Sequence, residues 1–266
     1  MSDVQAAAPR GKKVRPPPRA VVVEAVERVT PGVMRVVFGG PELATFAAPK
    51  AGAHIKILFV PPGKVWPTGD PALDAVRPPS RTYTPRRFDA AKGLLEVEFV
   101  LHGEGIAARW AAQAKVGEKM LIGGPGGGYE PPEGVEKMVI IADDSAVPAV
   151  GMVLEALPKG CPTHILCEVA NPGEARALSP GIASNPVWLY RDPVSAAPGV
   201  LLEAAVAALP PQPANTWFWV ACEAASMRRI REILVAKLGV ERGRVHTRGY
   251  WKAGDANYPD HDYGAD

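Results

Sequence analysis

The sequence predicts two domains, an antiparallel β-barrel over residues 19–131 and a parallel-sheet α/β domain over residues 132–266 with a C-terminal extension. Three observations predict this. The chain has 266 residues, more than the roughly 100–200 of one typical domain. Up to about Tyr129, short β-type runs are broken by Gly and Pro, which suits a small antiparallel barrel. From about Val135 the rhythm changes to alternating strand and helix, the pattern of a parallel sheet with right-handed crossovers.

The first 18 residues are rich in Ala, Pro, Lys and Arg, without periodicity, and read as a disordered tail. Ala20–Val29 and Val33–Phe38 follow as strands around a Pro31-Gly32 turn. Ala53–Val60 is a third strand. In Leu94–Val100, Leu95, Val97 and Phe99 share one face, with Glu96 and Glu98 on the other. A short helix is expected around Ile106–Ala114, and Met120–Ile122 closes the set. Between Pro61 and Ser80 lies a long proline-rich loop, of a length that is usually functional or mobile.

In the second half Met138–Ala142 is a continuous apolar run of buried parallel-strand type. Helix Pro148–Leu157 follows, with Pro148 suited to its first turn. Then come strands His164–Val169 and Val187–Tyr190, helix Val200–Leu209, strand Trp217–Ala221 and helix Ala224–Leu238. Ligands on such a sheet bind at the carboxyl ends of the strands.

Composition narrows the function classes. Apolar residues make up 47% and charged residues 22%, enough to build real cores. A net charge of +2 is too balanced for a general nucleic-acid coat, so electrostatic recognition must come from a local cluster. Cys161, Cys167 and Cys222 show no metal spacing and no disulfide framework, and the five histidines form no metal pair. The N-terminus has no apolar core of a secretory signal, and no apolar run is long enough to span a membrane. A cytoplasmic protein is expected. No nucleophile elbow is present, which argues against hydrolysis.

The chemistry starts at Arg81-Thr82-Tyr83-Thr84-Pro85-Arg86. Arg81 can hold a pyrophosphate bidentately, and Tyr83 can lay its ring against a flat aromatic ligand. Thr84 offers a hydroxyl to a ring nitrogen, beside the break that Pro85 makes in the strand. The run from Phe99 through His102 and Gly105 to Ala111 passes from strand through glycine turn into helix. A helix start offers unpaired N–H groups, and small Ala107 and Ala108 allow phosphates to approach. Gly124-Pro125-Gly126-Gly127-Gly128 is no dinucleotide fingerprint, because Pro131-Pro132 follows where a helix should begin, and it reads as a tight inter-domain turn. Ser145 either caps the next helix or faces a bound cofactor at its strand's carboxyl end. The two roles are compatible.

The strings RTYTPRRFD, EFVLHGEGIAARWA, GGPGG, ADDSAVPAV and GYWKAG, in this order from Arg81 to Gly254, resemble the siderophore-interacting proteins. These are flavin-dependent ferric-siderophore reductases of the ferredoxin-reductase superfamily. The resemblance implies an FAD-binding barrel followed by a nicotinamide-binding α/β domain. By the same resemblance Arg81, Thr82, Tyr83 and Thr84 bind the flavin, and His102 with Gly105, Ile106, Ala107 and Ala108 holds the rest of FAD. Asp144, Ser145 and Ala146 fall in the nicotinamide region, and Cys222-Glu223 stands where the family has a Gly-Glu pair lining it. Lys56 and Lys252 match basic positions, and Arg248 is a third cation suited to an anionic acceptor. Three strings depart from the family: Gly105-Ile106-Ala107-Ala108 replaces Gly-Pro-Ala-Ser, Gly124-Pro125-Gly126-Gly127 replaces Gly-Pro-Arg-Gly, and Ala142-Asp143-Asp144-Ser145-Ala146 replaces Gly-Asp-Glu-Thr-Ala.

The implied activity is NAD(P)H-dependent reduction of siderophore-bound Fe(III) through FAD, releasing Fe(II). Two alternatives stay open: a flavin reductase of the same fold serving a ferredoxin or another acceptor, and a siderophore-binding module without catalysis. The choice between NADH and NADPH also stays open.

Overall fold

The computed structural model describes residues 17–61, 64, 66–67, 74–101, 103, 105–182, 184–256 and 258. Most of the expected tail, much of the proline-rich loop and His102 lie outside the described residues.

Seven antiparallel strands form the first sheet: β1 Arg19–Thr30, β2 Val33–Gly39, β3 His54–Leu58, β4 Ser80–Tyr83, β5 Pro85–Asp89, β6 Leu94–Val100 and β7 Lys119–Gly126. Their order is β4-β3-β7-β1-β2-β6-β5. The strands at the two ends of that order, β4 and β5, are neighbours in sequence and are separated only by Thr84. Pro85 has no N–H to continue a ladder, so β4 and β5 meet at this residue and share no ladder. Leu95, Val97 and Phe99 point into a core with Phe38, Ile55, Ile57 and Ile122, as their alternation predicts. Helix α1, Ile106–Ala111, closes one end with Ala107 and Ala111 inward, shorter than the Ile106–Ala114 expected.

Five parallel strands build the second sheet: β8 Lys137–Asp143, β9 Thr163–Val169, β10 Val187–Tyr190, β11 Thr216–Glu223 and β12 Val245–Trp251, in the order β10-β9-β8-β11-β12. Helices α2 Val147–Ala156, α3 Val200–Ala207 and α4 Ala224–Glu232 cover its faces. The continuous apolar run of β8 has a direct explanation. Met138, Ile140 and Ala142 feed the core under α2, while Val139 and Ile141 feed the core under α3 and α4. From β8 the chain adds β9 and β10 on one side, then crosses to β11 and β12 on the other. The carboxyl ends of β8 and β11 therefore flank a topological switch point, where such sheets bind ligands.

Three sequence expectations are corrected here. Strands β5 and β12 were not foreseen, because each carries polar residues and glycine or proline that mask a strand pattern. Gly124–Gly126 lies inside β7, paired with β3 (His54 opposite Gly126), and the turn comes at Gly127 and Gly128, whose φ values are 65° and 135°. Helix α4 ends at Glu232 and continues as one π-type turn to Lys237. Glu98 is on the outer face of β6 but is buried, because the second domain covers it.

The seam between the two sheets is polar and direct. Glu174 accepts from the Gly32 N–H at 2.8 Å and from the Thr30 hydroxyl. Arg176 pairs with Glu98 at 3.0 Å. Arg86 of β5 donates to Glu155 of α2 at 2.8 Å and to the Leu178 carbonyl at 3.1 Å. Gly151 allows this approach: a Cβ there would stand 2.3 Å from that carbonyl.

Candidate active site

A cavity of about 370 Å³ opens where the seam meets the carboxyl ends of β8 and β12. Its barrel wall comes from β3, β4, Thr84, β6 and the start of α1. Its other wall comes from Ser145 and Pro148 after β8, Arg248–Trp251 of β12, and residues that follow β12. The size suits a small-molecule site.

Arg81, Thr82, Tyr83 and Thr84 all line it. Arg81 donates to the neighbouring Ser80 carbonyl at 2.9 Å, and among the described residues no carboxylate pairs with it. The Tyr83 ring lies 4.4 Å from Phe99, tilted by 44°, so one side is held by the barrel core. Burial raises its phenol above the ordinary range, against the opposing charge of Arg81. Thr84 is buried, and its hydroxyl reaches the Tyr250 phenol, which burial pushes up to about 12.

At the start of α1, Gly105 has extended backbone and no side chain caps the first turn. Gly103, at φ 58°, and Gly105 have nothing within 4 Å of where a Cβ would stand. Ala107 and Ala108 line the cavity, whereas Ile106 packs into the barrel core. An uncapped turn, bare glycines and a guanidinium without a carboxylate partner suit the phosphates of a flavin dinucleotide. The residues present fit that group.

The opposite wall is built differently. Asp143, at the end of β8, is wholly buried. Burial, then repulsion from Asp144, pushes its carboxyl up to about 7, against hydrogen bonds from Ser145, Trp251 and Glu223. Asp144 turns away to Arg191 at 2.6 Å, and Arg191 also reaches the buried Glu168 at 3.3 Å. Ala146 is core. Of Asp144, Ser145 and Ala146, therefore, only Ser145 lines the cavity. Cys222 does not line it: the alternation of β11 turns its thiol into the core under α3 and α4, and burial raises its pKa. Glu223 accepts from the Ser226 N–H at 2.9 Å and so caps α4.

Of the three expected cations, Arg248 lines the cavity. It is 6% exposed and donates to the Gly52 carbonyl at 3.2 Å and to His54 Nδ1 at 2.9 Å. Gly127 makes room for this pair, since a Cβ there would sit 2.9 Å from His54 Nδ1. Lys56 is half-buried on β3, two residues from His54 on the same strand face and opposite Thr82. Lys252 is exposed, and its backbone bridges to Asp255. Neither lysine lines the cavity.

Sequence reasoning did not single out His54, Glu98, Asp143, Tyr250 or Trp251. Burial works against ionisation of Glu98, yet Arg176 and Arg35 hold its carboxyl below the usual range. A signal was available for Tyr250 and Trp251, which stand in the same GYWKAG string as Lys252. His54 and Glu98 carried none, because only the sheet order brings them to the cleft.

A family model described as the siderophore-interacting FAD-binding domain matches residues 22–129, and one described as siderophore-interacting protein matches residues 135–254. An uncharacterized protein of Mycobacterium tuberculosis is 37% identical over 188 residues, a match spanning 66% of each chain. Ferric vibriobactin reductase ViuB of Vibrio cholerae is 30% identical over 253 residues, covering 89% of this chain and 90% of that one. An NADPH-dependent ferric-chelate reductase of Escherichia coli is 37% identical over 153 residues, 53% of this chain and 58% of the relative. Among solved structures, a siderophore utilization protein from T. fusca superposes with a TM-score of 0.80 at 32% identity, covering 94% of this chain and 98% of that one.

Proposed function

The chain belongs to the siderophore-interacting protein family, and we propose that it is an FAD-dependent reductase that passes electrons from NAD(P)H to siderophore-bound Fe(III). One observation carries this. A single cavity is walled on one side by Arg81–Thr84 and the uncapped start of α1, and on the other by the ligand edge of the parallel sheet. FAD held there would supply the means to take two electrons from a nicotinamide and release them singly, which ferric iron requires.

In this reading Arg81 holds the pyrophosphate of FAD, the start of α1 at Gly105, Ile106, Ala107 and Ala108 supplies N–H groups to it, and His102 is a further FAD contact. Thr82, Tyr83 and Thr84 flank the ring. Ser145 meets the nicotinamide, while Asp144 and Ala146 shape the turn that carries it. Arg248 attracts the anionic ferric complex, with Lys56 and Lys252 further out. Shelter decides their ranking. Opposite unit charges 4 Å apart attract by about 4 kcal/mol at an effective dielectric near 20, but by about 1 kcal/mol in water. Buried Arg248 is thus the stronger electrostatic anchor, and exposed Lys252 the weaker. The reaction belongs in the cytoplasm, a reducing compartment that keeps the three cysteines free.

Anaerobic mixing of the purified protein with NADH or NADPH, then with a ferric siderophore, tests the reading. The flavin absorbance should bleach with the donor and return with the acceptor. A protein that purifies without flavin, or that no nicotinamide bleaches, overturns it. Recovery with ferredoxin but not with ferric siderophore would reassign the acceptor.

A further inference from the structure

Asp143 touches no part of the cavity, yet it ties together two residues that do. Its Oδ1 accepts from the Ser145 N–H at 3.0 Å and from the Ser145 hydroxyl at 2.5 Å. Its Oδ2 accepts from the Glu223 N–H at 2.9 Å and from the Trp251 indole N–H at 2.7 Å. Once ionised, above a pH of about 7, this carboxylate has about four lone-pair sites, and four donors fill them. Burying such a group is costly unless it is fully hydrogen-bonded, and here the donors come from three stretches of chain that meet at the switch point. Ser145 and Trp251 then present their outer surfaces to the cavity.

Strand β12 gives the indole bond a particular role. Its register against β11 slips near its end: Cys222 pairs with Gly249, but Glu223 pairs with Trp251. Tyr250 is left over as a bulge, a device that re-aims side chains beside functional sites, and both Tyr250 and Trp251 face the cavity. The bond to Asp143 fastens the strand just past this irregularity.

We propose that Asp143 is a positioning residue for the nicotinamide donor, holding the Trp251 indole and the Ser145 hydroxyl as a preset wall of the cavity. This rests on the reductase reading above. Without the carboxylate, Trp251 loses its acceptor and the donor must order that wall as it binds. Ordering costs fall on binding, so the donor's Michaelis constant rises while turnover changes little.

The test compares the holoenzyme with Asp143→Asn, Trp251→Phe and the double variant. Each single variant should raise the Michaelis constant for NAD(P)H about tenfold, the scale of one lost hydrogen bond to a charged group. The ferric acceptor's constant should stay within about twofold. The double variant should be no worse than Asp143→Asn alone, because Trp251→Phe removes one of the bonds that Asp143→Asn already disrupts. A readout independent of turnover is the Trp251 indole N–H resonance, assigned by its loss in Trp251→Phe, which should move upfield in Asp143→Asn. Should Asp143→Asn fail to fold, Trp251→Phe carries the kinetic test, since it keeps one aromatic ring while removing the indole N–H and part of the ring face. An unmoved resonance, an unaltered donor constant in Trp251→Phe, or additive effects in the double variant would overturn the proposal. Wild-type protein that oxidises no NAD(P)H would instead overturn the reductase reading, and the donor wall with it.

Discussion

The Arg81–α1 part of the barrel wall and the carboxylates behind the parallel-sheet wall use polar groups in opposite ways. On the barrel side, Arg81 bonds among the described residues to an adjacent carbonyl and the first turn of α1 has no side-chain cap, so their donors are left open to a ligand. On the parallel-sheet side the carboxylates are engaged within the protein. Asp143 is filled by four donors, Asp144 pairs with Arg191, and Glu168 accepts from the N–H groups of Gly199, Leu201 and Leu202 at the start of α3. The difference teaches how one cleft serves two kinds of ligand. In the proposed reading, open donors would hold a resident anionic cofactor tightly. A wall whose polar groups are already satisfied offers shape, which suits a donor that must arrive and leave in every turnover.

The largest expected effect breaks the barrel side. Arg81→Ala should weaken FAD binding about 30- to 100-fold, in line with about 2–3 kcal/mol for a charge-assisted contact. The ratio of flavin to protein absorbance after gel filtration measures it. Full occupancy in this variant would remove Arg81 from the site.

A smaller effect is expected across the cleft. Changing Asp144 and Ser145 together to Ala should slow flavin reduction by NAD(P)H about tenfold, leaving FAD occupancy and reoxidation by iron nearly intact. Rapid mixing separates the two steps. Equal slowing of both would mean that the two walls act as one unit.

The acceptor cations sharpen the contrast between sheltered and exposed charge. Arg248→Gln should raise the ferric complex's Michaelis constant several-fold and flatten its dependence on salt. Lys252→Ala should change it less than about twofold, the usual scale for a solvated cation. A reversed ranking would place the acceptor outside the cavity, nearer the C-terminal segment.

The smallest effect is on stability. His246, its ring 4.7 Å from Tyr129 and tilted by 44°, is held down to about 4 by burial and then by Arg248. Between pH 4 and 6.5 the unfolded chain binds a proton here that the folded one does not, so stability falls as the pH drops through that window. His246→Phe should flatten this slope by roughly 1 kcal/mol once solvent screening is discounted. Asp143 acts in the opposite sense. Its folded pKa of about 7 exceeds its ordinary value, so the folded state holds the extra proton between pH 4 and 7 and loses stability as pH rises. Urea titrations of the two variants at pH 5 and 7 should therefore shift in opposite directions.

Local pattern determined a good deal of this protein. The alternation in Leu94–Val100, the Pro31-Gly32 turn, the apolar run of β8 and the glycine turn into α1 follow from neighbours in sequence, and so they could be read there. The Arg81–Thr84 string could be read as a ligand strand for the same reason, since its chemistry lies within four consecutive residues. Only the tertiary structure decided which cations meet the cavity, because Arg248 is buried on β12 beside the cleft while Lys252, four residues later, lies past the strand's end and is exposed. It alone brought His54 against Arg248, Glu98 against Arg176 and Trp251 against Asp143. These pairs join segments from 78 to 194 residues apart, and at such separations the order of strands in the two sheets, not the spacing along the chain, determines which side chains touch.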